Sequence, residues 1–313
     1  MKYGLPYRGS KNKIAGRIVD FLPTRKHFID LFCGGCAVSH AALAKGKFEH
    51  VHINDIDPRH VRLYMNALQG KYKDEKRWIS REDFSQLKDS DPYVAICWSF
   101  GNDMRSYLYS RTLEPLKRAY HYAIVFADYE PAKAFGIDLS FLNGINGVHE
   151  RRLAVGRFIR KNAQQLQTMA KSLKSLGSLQ SLERLQSLER LESLQRLKSL
   201  QRLQSLEEKI TSSTEDYQNV KIPDDSVIYC DIPYKGTGAY PSAKHFDYEH
   251  FYDWACRQTE PVFISSYEMP EDKFECVAEF SHICSFCATT TTKVTERIFI
   301  PRGQTERGNQ PTK

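Results

Sequence analysis

No stretch of the 313-residue chain approaches the roughly 18 consecutive apolar residues that a membrane span needs, and Met1-Lys2-Tyr3-Gly4 lacks the apolar segment of a secretory signal. A cytoplasmic location is expected. Cysteine is sparse, eight in all, and without an export signal these read as reduced thiols rather than a disulfide framework. Cys33/Cys36 and Cys284/Cys287 have a spacing that could supply four zinc ligands. The first pair flanks two glycines and the second lies in a strand-like stretch, so no metal is expected. A complete G-x-G-x-x-G is also missing, which leaves a pyrophosphate-bearing nicotinamide cofactor poorly supported. Acidic residues do not dominate either. Lys and Arg number 45 against 38 Asp and Glu, a formal charge of +7 that favours a polyanionic partner without requiring one.

What is present reads as α/β at the start. The length suits one large domain with an insertion or a second small domain, and 41% apolar content is enough for a real core. Ile14, Ile18 and Phe21 share one side of a helix over residues 11–21, which Pro23 ends. Residues 28–32 form a short strand, Cys33-Gly34-Gly35-Cys36 a turn, and residues 37–44 an alanine-rich helix. A second strand at 50–53 closes on Asn54-Asp55-Ile56-Asp57, and helix resumes over 58–68. Strand, glycine turn, helix, strand and acidic end make a βαβ unit. Gly34 and Asp55 have the separation that brings a close-approach glycine and a ribose-binding carboxylate to one cofactor.

From about 72 to 170 no strand alternation is evident, and an inserted, mainly helical region rich in tyrosine and tryptophan is expected. Its basic segment, His149-Glu150-Arg151-Arg152 with Arg157, Arg160 and Lys161, is a candidate phosphate-contacting face. A leucine then recurs at every third position from Leu173 to Leu206. The separating residues favour helix, but at ~100° per residue each leucine falls some 60° behind the last, so the stripe winds round an α-helix in roughly 18 residues. No flat face buries them all, and period three is wrong for a coiled coil. A helical arm over 172–208 is expected, serving as a low-complexity spacer, or else as a self-associating or DNA-contacting arm.

Beyond the repeat, a weak strand near 209–212 leads to Asp216-Tyr217. The apolar run Val227-Ile228-Tyr229-Cys230 then ends on Asp231-Ile232-Pro233-Tyr234. A carboxylate, a stiff turn and an aromatic ring at the C-terminal end of a buried strand sit where α/β sheets bind ligands. Asp231 and the main-chain oxygen of Ile232 can accept hydrogen bonds from an exocyclic amine while Tyr234 stacks on its ring. A helix over 250–257 and strands at 261–266, 276–280 and 297–300 follow, and the tail 302–313 reads as disordered.

These residues carry a family resemblance. Asp231-Ile232-Pro233-Tyr234 resembles the Asp-Pro-Pro-Tyr motif of S-adenosylmethionine-dependent adenine-N6 DNA methyltransferases, with Ile232 in place of the first proline. Tyr7-Arg8-Gly9-Ser10-Lys11 resembles the N-terminal motif of the Dam-like members, and residues 30–36 resemble their F-x-G-x-G loop, with Cys36 replacing the last glycine. Phe263-Ile264-Ser265-Ser266-Tyr267 is similar to the strand after the catalytic motif. The resemblance implies a Rossmann-like methyltransferase sheet with helices on both faces, built from residues 1–71 and 209–301. Residues 72–171 would be a target-recognition insertion. It implies S-adenosyl-L-methionine as cofactor, held by Tyr7, Lys11, Asp30, Phe32, Gly34, Asp55, Asp216 and Tyr217, with Tyr7 and Lys11 toward its methionine end. The partner would be double-stranded DNA with a flipped-out adenine, and Asp231, Ile232, Pro233 and Tyr234 would be the catalytic residues. Methylation of cytosine N4, RNA or a protein amide, and a non-catalytic DNA-binding or assembly module, stand as alternatives.

Overall fold

A computed structural model describes residues 2–7, 9–162, 189–235, 246–287 and 290–304. The chain divides into two compact units, Met1–Lys73 with Gln195–Lys313, and Asp74–Leu194.

The first unit is built on a seven-stranded sheet in the order β3-β2-β1-β4-β5-β7-β6. Its strands are β1 (His27–Asp30), β2 (His50–Asn54), β3 (Ile210–Ser213), β4 (Ser226–Asp231), β5 (Val262–Ser266), β6 (Phe274–Cys287) and β7 (Thr290–Pro301). The five strands β3, β2, β1, β4 and β5 are parallel; β7 runs antiparallel to β5, and β6, antiparallel to β7, has the direction of the first five. Parallel strands covered on both faces read as nearly unbroken apolar runs, which is why Val227-Ile228-Tyr229-Cys230 and all of β5 are buried. On one face Ile29, Ile228, Cys230 and Ile264 pack with Phe251, Trp254 and Ala255. Those last three lie on a helix over Tyr248–Arg257, capped by Asp247, whose side chain accepts from His250 N at 3.0 Å. On the opposite face Phe28 packs against Tyr229, ring centroids 6.3 Å apart.

Helix α1 (Ala15–Phe21) packs on α2 (Ala37–Lys45), which in turn packs on β1 and β2. α2 is small-residue rich and buried through its first seven residues. α3 (Pro58–Leu68) starts at Asp57, which caps it by accepting from Arg59 N at 3.0 Å, with Pro58 at the first position, where its missing N–H costs nothing.

The end of the leucine repeat departs from expectation. Residues 189–200 are α-helical, but Gln201–Lys209 form a 3-10 helix packed on α2 and α3 in the first unit. Three residues per turn bring i and i+3 into line, so a leucine at every third position keeps to one side. Leu203 is buried accordingly, after Leu197 and Leu200 in the α-helix before it. From residue 201 a change of helix type removes the drift expected of an α-helix, and Leu197, Leu200 and Leu203 of the expected arm are buried in the first unit. Side chains reinforce this: Gln69 Nε2 donates to Glu207 Oε1 at 2.7 Å and Arg196 Nη1 to Leu5 O at 3.3 Å. Repeat residues 173–188 lie outside the described residues, as does most of the expected tail.

The second unit contains α4 (Arg81–Leu87), α5 (Pro92–Cys97), α6 (Glu114–Phe126), α7 (Glu130–Lys133) and α8 (Val148–Lys161). Ser80 and Asp83 form a reciprocal cap on α4. Tyr120, Ile124, Leu142, Val155 and Ile159 make a core between α6, α8 and the intervening turns. The expected basic face is split. Arg151 donates to the carbonyls of Ile124, in the last turn of α6, at 2.7 Å and Ile145, before α8, at 3.1 Å, while Arg157, Arg160 and Lys161 remain exposed. Among the described residues no helix is long and apolar enough to cross a membrane.

Candidate functional site at the sheet reversal

The strand order reverses between β1 and β4, because the chain winds from β1 out to β3 on one side and then returns to start β4 on the other. The loops leaving these two strands diverge to opposite sides, opening a crevice at their carboxyl ends. Asp30 ends β1, Asp231 ends β4, and Asp55 follows β2, so three carboxylates share one edge.

Asp231 stands in a compact charged cluster. Lys11 Nζ lies 2.9 Å from Asp231 Oδ1 and 3.6 Å from Glu296 Oε1, and donates to Tyr234 Oη at 2.6 Å. Tyr234 Oη in turn donates to Glu296 Oε1 and lies 3.2 Å from Asp231 Oδ1, and Ser265 Oγ donates to Glu296 Oε1 at 2.9 Å. Lys11 and Glu296 are 8% and 3% exposed in their side chains whereas Asp231 is 25% exposed, making Asp231 the member of the ion pairs that faces outward. Burial works against the Lys11 charge, but Asp231 and Glu296 outweigh it and raise its pKa. Burial likewise lifts the Asp231 carboxyl, against the pull of Lys11. Lys11, expected at the cofactor's methionine end, thus reaches the catalytic motif. Ile232 packs its side chain into the core, and Tyr248 Oη donates to Pro233 O at 3.0 Å, one carbonyl beyond the expected acceptor.

A second group surrounds the glycine turn. Gly34 N donates to Asp55 Oδ2 at 2.8 Å, and Asp57 N to Asp55 Oδ1 at 2.9 Å. Tyr7 lies over the turn so closely that a Cβ on Gly35 would come 2.5 Å from Tyr7 Cβ. Cys36, where the family has glycine, adopts φ 53° and ψ 33°, the left-handed conformation that glycine takes without strain. Tyr7 also meets His60 edge-on, ring centroids 4.9 Å apart, and both His60 ring nitrogens are buried without a partner among the described residues. Burial raises the Asp55 carboxyl, with His60 and the two backbone N–H groups opposing.

Asp30 is 2% exposed and accepts at Oδ2 from Ser39 Oγ, while its Oδ1 is buried without a partner among the described residues. Burial, opposed by Ser39 and assisted by the negative charges of Asp231 and Asp55, pushes its carboxyl up to about 8. Nearby Phe32 packs against Tyr217, ring centroids 5.4 Å apart, and Asp216 caps the turn that presents Tyr217 by accepting from Gln218 N at 3.0 Å.

Sequence reasoning missed Glu296, Ser39, His60 and Asn54. Asn54 ties three strand ends together: its Nδ2 donates to Leu31 O at 3.1 Å and Glu215 O at 3.0 Å, and its Oδ1 accepts from Ser213 Oγ at 2.7 Å and Glu215 N at 3.0 Å. Its position at a strand end beside Asp55 was a visible signal. For Glu296 the signal was a carboxylate leading the apolar run Ile298-Phe299-Ile300.

Residues 7–132 match the family model described as D12 class N6 adenine-specific DNA methyltransferase. The match indicates an adenine-specific DNA methyltransferase. It takes in Tyr7, Lys11, the glycine turn and Asp55, and stops short of the Asp231 strand. The mixed α/β fold with its seven-stranded sheet fits a methyltransferase. No curated protein matches the chain.

Proposed function

We propose that this methyltransferase moves a methyl group from S-adenosylmethionine to the N6 amino group of an adenine turned out of duplex DNA into the β1/β4 crevice. The observation that carries this reading is Asp231, the outward-facing carboxylate of a buried charge cluster at the sheet reversal. Several features fit the cofactor: the unpartnered buried Asp30 Oδ1, the unpartnered nitrogens of His60 beside Asp55, and a glycine turn too close to Tyr7 to admit a side chain. Tyr7, Gly34 and Asp30 would hold its amino-acid part, Asp55 its ribose, and Phe32 with Asp216 and Tyr217 its adenine.

When bound, S-adenosylmethionine would supply an electrophilic methyl group on a sulfonium and leave as the neutral thioether, and the proton shed by the methylated amine would pass to Asp231 or to water. The chain's own residues prepare the acceptor. An adenine amine is a weak nucleophile because its lone pair is delocalised into the ring, and a hydrogen bond from N6–H to Asp231, with a second to the Ile232 carbonyl, favours a pyramidal nitrogen with a directed lone pair. Holding that nitrogen in line supplies much of the remaining advantage. The bonds on Tyr234 Oη fix the phenol at its oxygen and so preset the ring on which the base would stack. A base inside a duplex cannot reach this edge, so it must be extruded. The exposed Arg157, Arg160 and Lys161 of α8 would meet phosphates.

Incubation with S-adenosylmethionine and unmethylated duplex, followed by nucleoside mass analysis, is expected to yield N6-methyladenine. Methylated cytosine, or no methylated nucleoside, overturns the proposal. Asp231→Ala is expected to bind the methyl donor as the native chain does and to lose about 10³-fold in transfer rate; retained turnover removes Asp231 from the mechanism.

A further inference from the structure

Glu296 lies on β7, more than sixty positions from the Asp231 motif in the chain, and nothing in that motif calls for it. Taking a carboxylate out of water costs several kcal/mol unless charges and donors surround it, so a buried glutamate is a poor device for stability alone. Every partner Glu296 has among the described residues belongs to the site or adjoins it. Tyr234 Oη and Ser265 Oγ donate to its Oε1, and Lys11 Nζ stands 3.6 Å away. Three separate parts of the chain therefore converge on one oxygen: the N-terminal segment, the turn after β4, and β5.

The consequence falls on Asp231. Lys11 Nζ and Tyr234 Oη both address Asp231 Oδ1, at 2.9 Å and 3.2 Å. We infer that Glu296 is a positioning residue for methyl transfer: it anchors Lys11 and the Tyr234 phenol on Asp231 Oδ1, so that Asp231 Oδ2 is the oxygen presented to the target amine. This rests on the proposed adenine methylation. With one ammonium between two carboxylates the cluster carries a net negative charge, which suits an acceptor nitrogen that becomes positive as its new bond to carbon forms. Without the Glu296 charge, Lys11 is free to centre on Asp231 and to compete with the amine for both oxygens.

Glu296→Gln keeps the size and one acceptor oxygen while removing the charge. In the full-length protein its single-turnover methylation of duplex DNA is expected to slow at least about 20-fold. Dissociation constants for S-adenosylmethionine and DNA, and the melting temperature, should stay near native values, and Glu296→Asp should recover part of the rate. A Glu296→Gln rate within threefold of native overturns the inference. A readout independent of turnover is the Lys11 ammonium in the DNA-free protein, observed by NMR as a slowly exchanging 15Nζ signal and expected to exchange rapidly in Glu296→Gln. Persistence of that signal overturns the positioning role, whether or not the native chain methylates adenine. Absence of adenine methylation by the native chain overturns the proposed function instead. Should Glu296→Gln not fold, Ser265→Ala removes one bond to Glu296 with little change in volume; a slowing of at least threefold supports the inference and an unchanged rate overturns it.

Discussion

If the donor's amino-acid part lies against Asp30 as proposed, proton release on its binding follows from the Asp30 carboxyl. With its pKa pushed up to about 8 by burial, Asp30 is about nine-tenths protonated in the free protein at pH 7. A donor bearing a sulfonium and an ammonium, bound against Asp30, favours the ionised form and expels that proton. Calorimetry at pH 7 in buffers of different ionisation enthalpy is expected to show close to 0.9 proton released per donor, on the order set by one linked group. Affinity should rise about tenfold per pH unit from 6 to 8 and level off above. In Asp30→Asn the slope and the released proton disappear, and affinity above pH 8 is weaker than native. The same group bears on stability with a definite sign. A carboxyl whose folded pKa lies above its unfolded value of 3.8 contributes stability that is full below pH 4 and is lost as pH rises through 8. The loss is at most ~1.4 kcal/mol per pH unit for one proton, and Asp30→Asn should flatten that part of the urea-melt profile. No pH slope in donor affinity between 6 and 8, or a slope that survives in Asp30→Asn and vanishes in Asp55→Asn, refutes the reasoning.

Two further outcomes concern the scaffold. Asn54→Ala leaves the main-chain groups of Leu31 and Glu215 short of partners and is expected to cost about 2–4 kcal/mol in urea denaturation; a cost under about 1 kcal/mol means that water replaces the side chain. Leu200→Ala, at a fully buried position of the repeat, should cost a similar ~2–4 kcal/mol. Indifference to that change would show that the repeat's end is not part of the core.

Much of the fold was legible because its signals are local. The helix over Pro58–Leu68 has its cap, its proline and its apolar stripe in one stretch, and it forms where expected. β4 and β5 are buried on both faces, so their apolar runs announce them. The long β6–β7 hairpin was read only as two short pieces, since its turn end carries the polar run Thr290-Thr291-Thr292-Lys293 rather than an apolar one. The repeat misled for a physical reason: composition favours helix of either kind, and only packing on α2 and α3 selects the three-residue turn that keeps leucines in line.

The site divides the same way. Residue order alone established a glycine turn followed about twenty positions later by Asp55, and a carboxylate with an aromatic ring at the end of a buried strand, because these depend on spacing within one segment. What tertiary structure decided is which groups meet. Lys11 and Glu296 come from opposite ends of the chain, and no spacing rule connects them to Asp231. They converge because the sheet order sets β1, β4, β5 and β7 side by side, and a buried charge is tolerable only where an opposite charge has been folded against it.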